Sequence, residues 1–261
     1  MGFYKNEAAR LNVESFTRRA DCFTERTKGD PIPALRRAVE RIGFGPGRWA
    51  ADFGVGTGNS ALPFLQAGGR VLGIDITPAM ARSGRKRLAE ESLARNAHFV
   101  LALCERAPLP DGAADCAVCR NTFHHLARPE EVLREMARAV RPGGVVLLMD
   151  HLYPDDGRER ARIEEIDHVR EPAMVRILSM KDMRALFARC GLEVESAETM
   201  SRRDTFDNWL RGAETAAGSV PFVRAGVERL REEGGSWMAP EGEGAGLTVL
   251  RWDALVTGRK G

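Results

Sequence analysis

From Arg48 to Asp150, short apolar runs alternate with segments of helical periodicity, and this alternation constrains the fold more than any other feature of the chain. Parallel strands need long crossovers between them, and helices supply those crossovers with a right-handed sense. The runs predict strands at 48–54, 70–75, 98–103, 115–119 and 145–150, with helices near 59–67, 78–93 and 129–140. Pro142-Gly143-Gly144 is expected to separate the last of these helices from its strand. Farther along, Ser179 and Asp182 have capping-box spacing at the head of a helix over 179–190 that Gly191 stops, and strands are expected at 192–198 and 247–257. The predicted class is α/β, with a seven-stranded, mostly parallel sheet and helices on both faces.

The first strand runs into Asp52-Phe53-Gly54-Val55-Gly56-Thr57-Gly58. Three glycines at alternate positions make a turn whose bare backbone a ligand can approach. A dinucleotide fingerprint would place its third glycine where Asn59 stands, so the spacing is wrong for a pyrophosphate. Asp75 ends the second strand nineteen residues after Gly56, where a carboxylate can accept both hydroxyls of a ribose. Asp52 adds a second negative charge beside the turn, which repels phosphate and suits a cation. Together these residues ask for a nucleoside that carries positive charge and no phosphate.

The rest of the chain adds coverings to this core. Residues 7–28 are predicted helical with Phe16, Ala20 and Phe23 on one face; Asp30-Pro31-Ile32-Pro33 breaks the pattern, and a second helix runs from Ala34 to Ile42. Residues 1–44 thus read as a helical lid, 45–151 as the core, and 152–261 as its continuation with long excursions at 152–178 and 200–246. Lys and Arg number 39 against 37 Asp and Glu, a net charge of +2 that gives no reason to expect nucleic acid as a partner. Neither a leader-like start nor a long apolar span is seen, and five scattered cysteines suit a reducing compartment, so a cytoplasmic location is expected. Cys116-Ala117-Val118-Cys119 lies in a strand, where positions three apart face opposite ways, so no metal site is expected there. Whether the chain forms a homodimer is left open.

The ordered stretches Ala51-Asp52-Phe53-Gly54-Val55-Gly56-Thr57-Gly58, Val71-Leu72-Gly73-Ile74-Asp75-Ile76-Thr77-Pro78-Ala79-Met80, Ala107-Pro108-Leu109-Pro110-Asp111-Gly112 and Arg141-Pro142-Gly143-Gly144 resemble the motifs of class I S-adenosylmethionine (SAM) dependent methyltransferases, most of all the group acting in ubiquinone and menaquinone biosynthesis. The resemblance covers about residues 45–150 and implies a Rossmann-like core with SAM as cofactor. It implies that Gly54, Gly56 and Gly58, with Asp52, hold the methionine part, Asp75 the ribose, and Ile76 and Met80 the adenine faces. The family usually has a Gly-Asp pair after the third strand to receive the adenine amino group; Ala102 and Leu103 stand there, a departure at Leu103 that either weakens the adenine contact or shifts it to the backbone of Cys104 or to Glu105. Asn121 is expected to line the cofactor, and Phe16-x-x-x-Ala20-x-x-Phe23 resembles the family's aromatic lid with phenylalanine replacing tyrosine.

Candidate catalytic residues are His124 and His125 after the fourth strand, and His151 and Tyr153 after the fifth, with Asp150 adjacent to His151. An Asn-Pro-Pro-Tyr motif for base methylation is absent from the loop at 120–126. The implied reaction moves a methyl group to an oxygen or carbon of a small acceptor. Aromatic residues in the excursions and the near-neutral charge favour a partly hydrophobic acceptor such as a phenol, quinol or polyketide-like compound, an expectation that a flat, open and basic pocket between residues 3–23 and 200–240 would undermine. The competing readings are an NAD-dependent oxidoreductase and a SAM-fold protein that binds without catalysis.

Overall fold

The structure, a computed structural model, describes residues 7–27, 32–213 and 215–261; the expectations for the first six residues and for a break beginning at Asp30-Pro31 lie outside the described residues. Seven strands, β1 (Trp49–Phe53), β2 (Arg70–Asp75), β3 (Ala97–Leu101), β4 (Ala114–Arg120), β5 (Val140–His151), β6 (Leu192–Thr205) and β7 (Thr248–Lys260), make one sheet in the order β3-β2-β1-β4-β5-β7-β6. Pairing is parallel from β3 through to β5, and β7 runs against both its neighbours. The mostly parallel α/β sheet is therefore as expected. The chain moves outward one way after β1 and the other way from β4, which opens a crevice at the carboxyl ends of these two strands.

Helices α1 (Glu7–Thr27), α2 (Pro33–Arg41), α3 (Leu62–Gln66), α4 (Pro78–Glu90), α5 (Pro129–Ala139), α6 (Gly157–Arg170), α7 (Met180–Arg189), α8 (Phe206–Ala213) and α9 (Val220–Glu233) surround the sheet. One face packs Phe53, Ile74 and Cys119 against Leu133 and Met136 of α5 and Phe187 of α7. The other packs Cys116, Val118 and Leu147 against Leu35, Phe64 and Leu88 of α2, α3 and α4. Cys116 and Cys119 thus fall in different cores, as the period of a strand requires, and burial raises both thiol pKa values. The two excursions share a third core, in which Tyr153, Ile163 and Ile166 meet Phe206, Trp209 and Val227.

Local signals explain several boundaries. Ser179 and Asp182 form the reciprocal capping box of α7, and Gly191 at φ +70° follows its end. Three expectations need correction. Pro142-Gly143-Gly144 does not precede β5 but forms an irregularity inside it, because Val140 already pairs with Ala114 before the register shifts. β6 continues to Thr205, well beyond residue 198, through Ser201-Arg202-Arg203-Asp204, whose polar run hides an edge strand paired on one side with β7. The helix expected over 59–67 begins at Leu62, since Asn59–Ala61 is still part of the turn.

Candidate active site

The glycine turn lies at the carboxyl end of β1. Gly54 adopts φ +76°, and a Cβ there would come within 2.4 Å of the Thr122 side chain; Gly56 adopts φ +51° with Met80 Cε close by. An L side chain at Gly54 is excluded by both conformation and contact. Asp75 ties the turn to β2: its Oδ2 accepts from the Gly56 N–H at 2.8 Å and its Oδ1 from the Thr77 N–H at 2.8 Å. Burial raises its pKa, against the pull of those N–H groups, and one edge of the carboxylate reaches the cavity above the turn.

That cavity is lined by Gly54, Gly56, Asp75, Ile76, Met80, Leu103, Cys104, Glu105 and Asn121, so the cofactor residues implied by the motifs converge there, with Asp52 behind the wall and Gly58 not in it. Asp52 is fully buried. Ser60 Oγ donates to its Oδ2 at 2.7 Å, while its Oδ1 has no partner. Burial pushes the Asp52 pKa up to about 7; the Ser60 bond opposes this, nearby Asp75 adds to it and Arg120 offsets part of it. The Thr57 hydroxyl and Asn12 Oδ1 are also buried without partners. Buried polar atoms left unmatched beside a cavity mark where a polar ligand is received. Arg120 lines this cavity and the Asp52 carboxylate lies behind its wall, so a cationic and an anionic side chain stand at one end of it.

Arg120, Thr57, Ser60 and Asn12 were not found from sequence. Arg120 closes β4, a position that only the pairing of β4 with β1 brings to the turn. Asn59, where a dinucleotide site would need glycine, is buried and accepts from Arg87 of α4 at 3.2 Å, so it binds the turn to its helix. Asn121 takes a left-handed φ of +48° at the mouth of the crevice.

A second, larger cavity of about 690 Å³ adjoins the first, and Phe16, Phe23, Arg120, Asn121 and His125 line both. The α1 helix covers the junction. Asn12 Nδ2 donates to the His125 carbonyl at 2.8 Å, and Arg19 donates to Glu171 at 3.2 Å in a buried ion pair.

Three histidines meet on this wall, with ring centroids 4.1 Å apart for His124 and His125 and 4.7 Å apart for His124 and His151. Asp150 pairs with the His124 ring, its Oδ1 lying 2.5 Å from His124 Nδ1, and the same oxygen accepts from the His151 backbone N–H at 2.7 Å. Burial disfavours the imidazolium of His124, but the Asp150 charge outweighs burial and raises its pKa. His124 Nε2 has no protein partner among the described residues, on a side chain that lines the cavity. His125 is fixed neutral, with Nδ1 against the Ala173 carbonyl at 3.0 Å and its pKa pushed down to about 3 by burial and by His124. In His151 both ring nitrogens are engaged, Nδ1 by Asp253 at 2.6 Å and Nε2 by Arg251 at 3.0 Å. Burial and then Arg251 lower its pKa. Tyr153 lies outside both cavities; its hydroxyl donates to Asp167 at 2.6 Å within the third core.

The larger cavity is basic. Seven arginines and two carboxylates line it, so the near-neutral balance of the whole chain does not describe this wall. Among the described residues, no group of three or more His, Cys, Asp or Glu could hold a metal ion, and no helix is long and apolar enough to cross a membrane.

Comparison with known proteins bears on the same region. Residues 51–148 match the family model described as a methyltransferase domain. The chain is 28% identical over 166 residues to an uncharacterized methyltransferase, YcgJ, of Bacillus subtilis, covering 64% of this chain and 65% of that protein. It is 33% identical over 124 residues to the ubiquinone/menaquinone biosynthesis C-methyltransferase UbiE of Azotobacter vinelandii, covering 46% of this chain and 49% of that one. The match thus spans less than two thirds of either relative. In structure, the crystal form of the Bacillus subtilis YcgJ protein superposes with a TM-score of 0.78 at 22% identity, over 87% of this chain and 97% of the other, which shows a shared fold.

Proposed function

We propose that this chain, a member of the class I SAM-dependent methyltransferases with its methyltransferase domain at residues 51–148, moves a methyl group from SAM to an oxygen or carbon of a small acceptor held in the larger cavity. One observation carries this reading: the cavity over the glycine turn adjoins the larger one, with Phe16, Phe23, Arg120, Asn121 and His125 lining both. A cofactor on one side and an acceptor on the other therefore meet at that junction.

The residues fit the cofactor. Asp52 and Arg120 answer the charges of its methionine end, Asp75 its ribose, and Ile76 and Met80 the faces of its adenine, while Leu103, Cys104 and Glu105 surround the adenine edge. Bound there, SAM supplies a methyl group on a sulfonium that leaves as a neutral thioether. The chain's own task is then alignment, water exclusion and removal of a proton from the acceptor. α1 excludes water at the junction through the Asn12 and Arg19 contacts. His124, held by Asp150 and with Nε2 open to the cavity, is the group placed to take the proton. His125 lines the junction as a neutral ring, and His151 holds Arg251 in place.

S-adenosylhomocysteine is expected to raise the melting temperature of the full chain, and Asp75→Asn to weaken that response by about tenfold or more, because the ribose loses its charged acceptor. Stabilisation by NAD without stabilisation by S-adenosylhomocysteine would overturn the proposal.

A further inference from the structure

Arg202 of β6 and Arg251 of β7 are direct partners across the antiparallel ladder. Partners of this kind share a face of the sheet, with Cβ atoms about 4.5–5.5 Å apart, and like charges so placed destabilise the pair. Both side chains line the larger cavity. Most of the other arginines there are neutralised: Arg170 by Asp167 and Glu171, Arg19 by Glu171, and Arg203 by Glu241. Arg202 has no hydrogen bond or ion pair among the described residues. Arg251 is bonded to neutral His151 and ion-paired at 3.7 Å with Asp204, and the Asp253 carboxylate lies near enough to feel both Arg251 and Arg202. Arg211, on the adjacent end of α8, is bonded to uncharged Asn208. Three guanidinium groups, Arg202, Arg211 and Arg251, thus stand where β6, β7 and α8 meet, with Asp204 as the carboxylate of the lining beside them.

We propose that the Arg202–Arg251 pair is the seat of an anionic group, a carboxylate or a phosphate, on the methyl acceptor. The assignment rests on the methyl-transfer reading above and names the substrate class for it. Two guanidinium groups on one face can grip the oxygens of a planar or tetrahedral anion with paired N–H donors, and such an anion cancels the repulsion between them. Burial, then Arg202 and Arg170, hold the Arg251 pKa down to about 10, against the pull of Asp253 and Asp167. The pair also sets the acceptor's orientation. Arg251 is bonded to His151, whose ring lies against His124, so an acid held by the arginines presents its nearby nucleophilic oxygen or carbon toward His124 and the junction. The acceptor class that follows is a small acid whose nucleophile lies a few bonds from its anionic group.

The test uses the full chain saturated with S-adenosylhomocysteine, titrated with inorganic phosphate and separately with acetate at constant ionic strength, with binding read by calorimetry and by melting temperature. One or both anions should bind, and Arg202→Met should weaken binding at least tenfold, while Arg95→Met, an exposed substitution remote from the cavity, should not. Without anion, Arg202→Met should melt no lower than the parent, because it relieves a repulsion; a structural role for Arg202 would predict the opposite. Binding of phosphate alone assigns a phosphorylated acceptor, and binding of acetate alone a carboxylic acid. Failure of both anions to bind, or equal binding by Arg202→Met, overturns the proposal. Loss of S-adenosylhomocysteine binding itself would instead break the methyl-transfer reading, so the two failures are distinguishable.

Discussion

The two adjoining cavities are built in different ways. The cofactor cavity draws nearly all of its wall from one stretch, residues 54–127, closed by α1 alone, and its shape depends on backbone: glycines at positive φ, N–H groups turned onto Asp75, and a left-handed Asn121. The larger cavity, the proposed acceptor site, gathers side chains from α1, the loop after β4, β5, α6, β6, α8 and β7, and its character depends on charge. A ligand common to a family can be met by a fixed backbone, and a ligand particular to one member is met by side chains that vary without disturbing that backbone.

The contrast can be broken at its backbone end by Gly54→Ala. A left-handed φ and a Cβ at 2.4 Å from Thr122 together cost roughly 2–5 kcal/mol, so S-adenosylhomocysteine affinity should fall at least about thirtyfold, measured by calorimetry. Removing the obstructing side chain as well, in Gly54→Ala with Thr122→Gly, should restore part of the loss. Undiminished binding by the single variant would mean that the turn does not contact the cofactor.

A smaller effect tests charge within the same cavity. Folded Asp52 holds its proton up to about pH 7, whereas an ordinary aspartate releases it near 3.8. The unfolded chain therefore binds fewer protons in this window, and the Asp52 contribution to stability falls as pH rises from about 4 to 7. An ammonium beside Asp52 favours its ionised form, so binding expels the proton. Affinity for S-adenosylhomocysteine should then rise with pH, by up to about tenfold per unit below 7, and level off above it. In Asp52→Asn this slope should vanish; an unchanged slope would place the ammonium elsewhere.

The smallest expected change sharpens the boundary between the cavities. Because Asp150 is what raises the His124 pKa, Asp150→Asn should move the NMR titration of His124 toward acid while leaving S-adenosylhomocysteine affinity within about twofold. A shift in cofactor affinity of tenfold would show that the histidine wall belongs to the first cavity as much as to the second.

Much of this was legible before any coordinates. The strand and helix alternation gave the parallel sheet, since its periods depend only on neighbouring residues, and the motifs placed Asp75, Ile76, Met80 and Asn121 around one cavity for the same reason. The partnerships were not legible. Asp150 stands next to His151 in the chain, yet adjacent side chains on a strand face opposite ways, and the ring its carboxylate holds is that of His124, twenty-six positions earlier. Tyr153, placed with the histidines by position alone, turns into the third core.

Sequence by itself thus determined the cofactor half of the molecule, where close spacing and glycine stereochemistry leave few arrangements of the backbone. Only the tertiary structure decided the acceptor half. Residues as distant as Phe16, His124, Arg202 and Arg251 share a wall because of strand register and helix packing, and a net charge of +2 summed over the chain cannot reveal arginines gathered in one place.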